Sequence, residues 1–234
     1  MKAVNLGIIC VLLTVWGCKL DDGDQQGLSI FSQHFDFNEG LHDWTPGFAE
    51  YPVNAADSSA FELRSEYAEP IESKLSKRSL MLSGNNVNRD LFMYIKRKVG
   101  GLRPNTDYTI TFKVELTSDL QAVKSTGDGS VFLKAGAVHS EPKSVIDGGR
   151  YIMNIDKGDQ ENSGEDMITL GDLFEDGTGT AYSLITRSNT MANSRYVART
   201  NSNGELWLII GADSSVEGTT KIFFTRIKVL LSVS

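Results

Sequence analysis

The sequence predicts an all-β chain, an antiparallel β-sandwich of jelly-roll type with about ten strands. Three observations carry this. Tyr108, Ile110, Phe112, Val114 and Leu116 alternate with Thr109, Thr111, Lys113, Glu115 and Thr117, the period-two pattern of a strand with one face in a core and one in water. Runs of this kind, rich in β-branched and aromatic residues, recur every 8–15 residues or so, with turn-forming residues between them. No stretch has the periodicity of an amphipathic helix, and no fixed-period repeat points to a propeller or solenoid.

The elements follow in order. Ile30–Phe37 is a strand with Phe31, Phe35 and Phe37 on one face, and Asn38–Trp44 turns after it. Phe48–Val53 is a short extended piece bounded by Pro52, and Phe61–Tyr67 stays open between strand and irregular loop. Ser79–Gly84 and Leu91–Val99 are strands, and the turn Leu102-Arg103-Pro104-Asn105-Thr106 leads into the alternating strand Tyr108–Thr117. After a loop through Gly127-Asp128-Gly129 come strands Val131–Val138 and Gly149–Ile155, then a long acidic loop, Asp156–Asp166. Ile168–Leu173, Ala181–Thr186 and Tyr196–Thr200 are shorter. Glu205–Gly211 is nearly all apolar, as a strand covered on both faces must be, and Trp207 within it is expected in the core. Asp213–Thr219 is expected to be a loop. The last strand, Lys221–Val233, offers Phe223, Ile227, Val229, Leu231 and Val233 to one face, with Thr225 as the break.

The N-terminus is different. Lys2 is the only charge before Cys18, and the residues between form an apolar run too short to span a bilayer before Lys19, Asp21, Asp22 and Asp24 restore charge. Thr14-Val15-Trp16-Gly17-Cys18 resembles the bacterial lipoprotein cleavage box. That resemblance implies a signal peptide over residues 1–17 and a mature chain beginning at Cys18. Acyl chains such as palmitate on that cysteine would hold the protein on a lipid bilayer, each buried CH₂ contributing about 0.8 kcal/mol. Residues 18–29, acidic and rich in Gly and Gln, read as a flexible tether to a single domain over residues 30–234. The run after Cys18 also resembles the surface-export signal of Bacteroidota-type lipoproteins, which implies the outer membrane, on its cell-surface or periplasmic face.

A net charge of −7 over 234 residues disfavours nucleic acid as a partner. Cys10 and Cys18 are the only cysteines, so the mature fold is expected to have no disulfide. His34, His42 and His139 are the only histidines and show no zinc spacing, and Gly127-Asp128-Gly129-Ser130 is not a nucleophile elbow. No cofactor and no catalysis are expected.

Phe35-Asp36-Phe37 followed by Asn38-Glu39-Gly40-Leu41-x-x-Trp44, together with Gly101-Leu102-Arg103-Pro104-Asn105-Thr106-x-Tyr108, resembles carbohydrate-binding modules with a galactose-binding-like jelly roll. The likeness extends loosely over residues 30–234 and departs at Phe224-Thr225-Arg226, where those modules usually carry Asp or Asn. It implies a glycan bound where flat rings meet fixed polar groups. Trp44, Phe48 and Tyr51 with Glu50 are the candidate contacts from the first loops, and Asp213 with Glu217 those from the last. First and last strands are commonly neighbours, so the two sets are expected to share a rim. The alternative is that Trp44 and Phe48 close the end of the core. The same resemblance implies a structural Ca²⁺ at Asp36, Asn38 and Glu39, with the Asp156–Asp166 loop a second candidate; solvated acidic loops are the plainer reading of both. Two further functions stay open: an accessory subunit that meets another envelope protein without binding sugar, and a polysaccharide-acting enzyme using a carboxylate pair.

Overall fold

A computed structural model describes residues 29–69, 78–120, 129–174 and 182–234; the expected signal peptide, Cys18 and nearly all of the tether lie outside them. The described residues form fifteen strands and one helix. In chain order they are β1 (Ile30–Asp36), β2 (Thr45–Ala49), β3 (Tyr51–Pro52), α1 (Ala55–Ser59), β4 (Arg64–Ala68), β5 (Ser79–Asn86), β6 (Leu91–Val99) and β7 (Asp107–Ser118). β8 (Val131–Val138), β9 (Ser144–Asp147), β10 (Arg150–Met153), β11 (Met167–Asp172), β12 (Leu184–Ser188), β13 (Val197–Arg199), β14 (Leu206–Ser214) and β15 (Gly218–Val233) complete the set.

Two antiparallel sheets face each other. One runs β12-β7-β15-β5-β4, with β1 added to β15 and β13 to β7; the other runs β11-β8-β14-β6-β2. The alternation of β7 does what its pattern requires. Tyr108, Ile110, Phe112, Val114 and Leu116 are fully buried, and they meet Leu206, Leu208 and Ile210 of β14 in one core. β1 pairs with the second half of β15, so first and last strands are neighbours as expected.

The excess over ten strands has local causes. Glu50 adopts φ +66°, a left-handed conformation that separates β2 from β3 within the stretch expected to be one piece. Gly148 and Gly149, at φ +54° and +79°, close a tight turn between β9 and β10, a hairpin whose first strand was not expected. The short helix α1 was likewise not expected; its five residues are too few for an apolar stripe, and the side chain of Asn54 caps it by accepting from the Ala56 amide.

Thr225 is more than a break in the pattern. The register of β15 against β7 shifts between Phe224 and Arg226. That bulge lets Phe224 and Ile227 both point inward, and it puts Phe223 on the outer surface, against the expectation that Phe223 shares a face with Ile227.

Tyr196 ties strands and loop together. Its hydroxyl accepts from the Ala137 amide at 2.9 Å and donates to the Asp166 carbonyl at 2.7 Å. Burial pushes this phenol up from 10 to about 12. Between those pH values the unfolded chain has released the proton while the native chain still holds it, so stability falls as pH rises through the window. The full loss approaches roughly 2–3 kcal/mol. Urea unfolding of Tyr196→Phe, which has no such proton, is expected to show a flatter dependence over pH 10–12 than the parent.

Candidate functional site

The outer face of the five-stranded sheet is built in rows by its register. One row is Lys134 (β8), Gly211 (β14), Tyr94 (β6) and Gly47 (β2); the next is Phe132, Asp213, Phe92 and Ala49. Three glycines on this face, Gly47, Gly136 and Gly211, have no room for a side chain. A Cβ on Gly211 would stand 2.4 Å from the Phe92 ring, and one on Gly136 would stand 2.1 Å from the Asp166 carbonyl oxygen. The chain from β9 to Asp166 therefore lies directly on the sheet. It buries a second apolar cluster of Ala49, Phe92, Tyr94, Met153, Met167 and Ile209.

Beneath this cover sit three charged side chains. Lys134 is fully buried, and its Nζ donates to the carbonyls of Lys157 at 2.9 Å and Asn162 at 2.8 Å. Asp213 is also fully buried; its Oδ2 lies 2.8 Å from Lys157 Nζ and 3.5 Å from Lys134 Nζ. Burial pushes the Asp213 carboxyl up against the pull of Lys157, and burial pushes the Lys134 ammonium down against the pull of Asp213. Glu50 belongs to the same neighbourhood. Burial raises its carboxyl, Lys157 opposes that, and Arg150 lies at 4.0 Å.

The acidic loop is thus organised around an ammonium group. Its own carboxylates serve its backbone: Asp156 accepts from the amides of Gly158 and Glu165, which hold it below the usual range, and Asp166 accepts from the Asp156 amide. Among the described residues no three His, Cys, Asp or Glu side chains gather as a metal site. At the other expected Ca²⁺ position the Asp36 carboxylate faces Arg226 at 3.3 Å, and Arg226 also reaches Glu115 at 2.5 Å; Asn38 and Glu39 are exposed. A guanidinium stands where the family resemblance implied a metal.

The expected rim does not form. Trp44 is buried edge-on against Phe35 with ring centroids 5.5 Å apart, so it closes the core. Phe48 packs on the same core and Glu217 is exposed. Asp213 belongs to β14 rather than a loop, and it lies under the cover instead of at the surface. Trp207, expected in the core, is half-buried on the outer face with Lys96 Nζ 5.6 Å from its ring. Leu206, Leu208 and Ile210 take the inward positions, and strict alternation along β14 was the signal for this.

Tyr51 alone keeps a setting suited to a ligand. It stacks on Tyr151 at 4.8 Å and lines a groove of about 500 Å³ with Ser58, Ser59, Glu62, Leu63 and Arg64. Glu62 and Arg64 also line a second groove of about 540 Å³ over the outer face of the seven-stranded sheet, floored by Met81, Ser83 and Phe223 and flanked by Glu66, Lys221 and Tyr182. The two share Glu62 and Arg64 as a common wall, and together are called the trough. Tyr182 meets Phe223 edge-on at 5.9 Å. Glu50, Glu62 and Tyr182, beside or within the trough, hold φ of +66°, +46° and +63°, three of nine non-glycine residues with positive φ among the described residues. Sequence reasoning missed Tyr182, Phe223, Arg64 and Lys221, because only the bulge at Thr225 and the neighbouring strands bring them to one face.

No protein-family model matches this sequence, and no curated protein does. Solved structures do. A CBM22-1 xylan-binding domain from Paenibacillus barcinonensis shares 13% identity over 89% of this chain and 98% of that one, with a TM-score of 0.40. A putative sugar binding protein from Bacteroides thetaiotaomicron shares 7% over 85% of this chain and 92% of that one, also at 0.40. The enzymatically active domain of tailspike protein 4 from bacteriophage CBA120 shares 10%, with a TM-score of 0.35; this chain covers 20% of its length. These are likenesses of architecture.

Lys134→Met strips the donor from two buried carbonyls and leaves Asp213 with one cation. Stability should fall by about 1–3 kcal/mol, the cost of leaving buried acceptors unpaired. Urea denaturation measures the loss, and proteolysis should nick the 156–166 loop first.

Proposed function

We propose that this chain is a non-catalytic glycan-binding module, carried outside the cytoplasm on an acylated Cys18. The observation that carries the binding reading is the trough itself. It has Tyr51 towards one end and Tyr182 with Phe223 towards the other, and hydroxyl, carboxylate and cationic side chains between them. Aromatic faces suit the C–H surfaces of sugar rings, and fixed polar groups suit their hydroxyls. Binding is preferred to catalysis because acid–base work needs titratable groups tuned apart within the cleft. The carboxyls most clearly displaced upward, Glu50 and Asp213, do not line the trough and answer to buried lysines instead.

A glycan array probed with the secreted Cys18→Ser protein tests the binding reading. Capture of a polysaccharide is expected, weakened by up to about tenfold in Tyr51→Ala and in Tyr182→Ala, since a ring contact contributes about 0.5–1.5 kcal/mol beyond its area. Unchanged melting curves for both variants would separate lost contact from lost fold. An array without signal, with one envelope protein co-purifying reproducibly, would replace the glycan reading by the accessory-subunit one.

The tether has its own test. The unsubstituted protein should partition with membranes and the Cys18→Ser protein with the soluble fraction; equal partitioning would remove the lipid from the proposal.

A further inference from the structure

The cluster under the cover is used by neither the trough nor the tether, and its bookkeeping is uneven. Two ammonium groups share one carboxylate, with side-chain exposures of 0% for Lys134, 9% for Lys157 and 0% for Asp213. Asp213 Oδ1 is buried and has no hydrogen-bond partner. A buried carboxylate with one bare oxygen is costly, and so is a second buried cation.

We infer that Lys157 and Asp213 are joined by an intramolecular amide bond, formed by the folded protein itself. Lys157 Nζ already sits 2.8 Å from Asp213 Oδ2, over the Phe92 ring at 5.3 Å, in a site closed to bulk water. Lys134 is the less suitable nucleophile, because it stands 3.5 Å off and gives two protons to carbonyls, where Lys157 gives one, to Gly158 at 3.2 Å.

The step balances. A proton passes from the Lys157 ammonium to the Asp213 carboxylate across their contact, giving a neutral amine and a neutral acid. The amine attacks Cγ, forming the N–C bond. The oxygen that becomes negative in the tetrahedral intermediate is stabilised by the Lys134 ammonium. A C–O bond then breaks, and the oxygen leaves as water with the proton lost by nitrogen. The proton needs no carrier, because Lys157 Nζ and Asp213 Oδ2 are in direct contact at 2.8 Å. No oxidant, metal or cofactor enters.

The product lowers the buried charge, and Asp159 remains as the carboxylate whose field reaches Lys134. Three buried charges become one, and the three N–H groups of Lys134 face three carbonyl oxygens: those of Lys157, Asn162 and the new amide. A domain with no cysteine after Cys18 gains a covalent staple that bolts the covering loop to β14.

Mass spectrometry of the purified, denatured protein tests this independently of any glycan. The intact mass of the protein should fall short by one water of that of its Lys157→Arg variant, after allowing for the substitution itself. Trypsin, which cuts after a free lysine, should leave Lys157 uncut, in a branched peptide joined to the segment bearing Asp213. Lys157→Arg keeps a cation beside Asp213 and forms no such bond, so it should restore the full mass and melt at a lower temperature. Recovery from the unsubstituted protein of separate linear peptides containing Lys157 and Asp213 would overturn the inference, even alongside a one-water deficit at another site.

Discussion

The ammonium of Lys134 decides how one whole side of this molecule is built. It is fully buried on a sheet face that would otherwise meet water, and the carbonyls of Lys157 and Asn162 bend over it. A charge in such a place survives only when its protons find oxygen atoms, and these carbonyls supply them. The loop over residues 156–166 takes its shape from that need. With the loop fixed, Met153 and Met167 settle on Phe92, Tyr94 and Ile209, and the five-stranded sheet acquires a second apolar layer.

Covering one sheet has a consequence for the other. The seven-stranded sheet keeps part of its outer face open, and there the bulge at Thr225 turns Phe223 outward beside Met81. The trough that results is polar along its walls and aromatic towards its ends. Its strained residues, Glu62 and Tyr182, are ones that neighbouring packing must hold in place. The two faces of the sandwich are therefore unlike for a physical reason: one is sealed by buried charge pairs and apolar packing, and the other is left accessible.

Much of the architecture was legible in the amino-acid order. β6 and β8 begin and end at the residues expected of them, and β7 matches its alternation within a residue at each end. The nearly continuous apolar stretch of β14 announced a strand covered on both faces, which it is. These are local properties: each side chain's preference for water or oil, read at a spacing of two, fixes which face it takes.

The site was much less legible, and each departure has a non-local cause. Trp44 and Asp213 looked like rim residues because polar or turn-forming neighbours surround them in the chain, yet packing across the sandwich buries both. Trp207 looked like core because its neighbours are apolar, yet its place in the alternation turns it outward. The acidic loop looked like a cation site, and its cation is a lysine ammonium brought from β8, more than twenty residues earlier in the chain. Sequence settled which segments are strands, because that depends on near neighbours. Which charges meet, which aromatic rings stay open and which sheet face is sealed depended on contacts between distant segments, and only the assembled sandwich sets those.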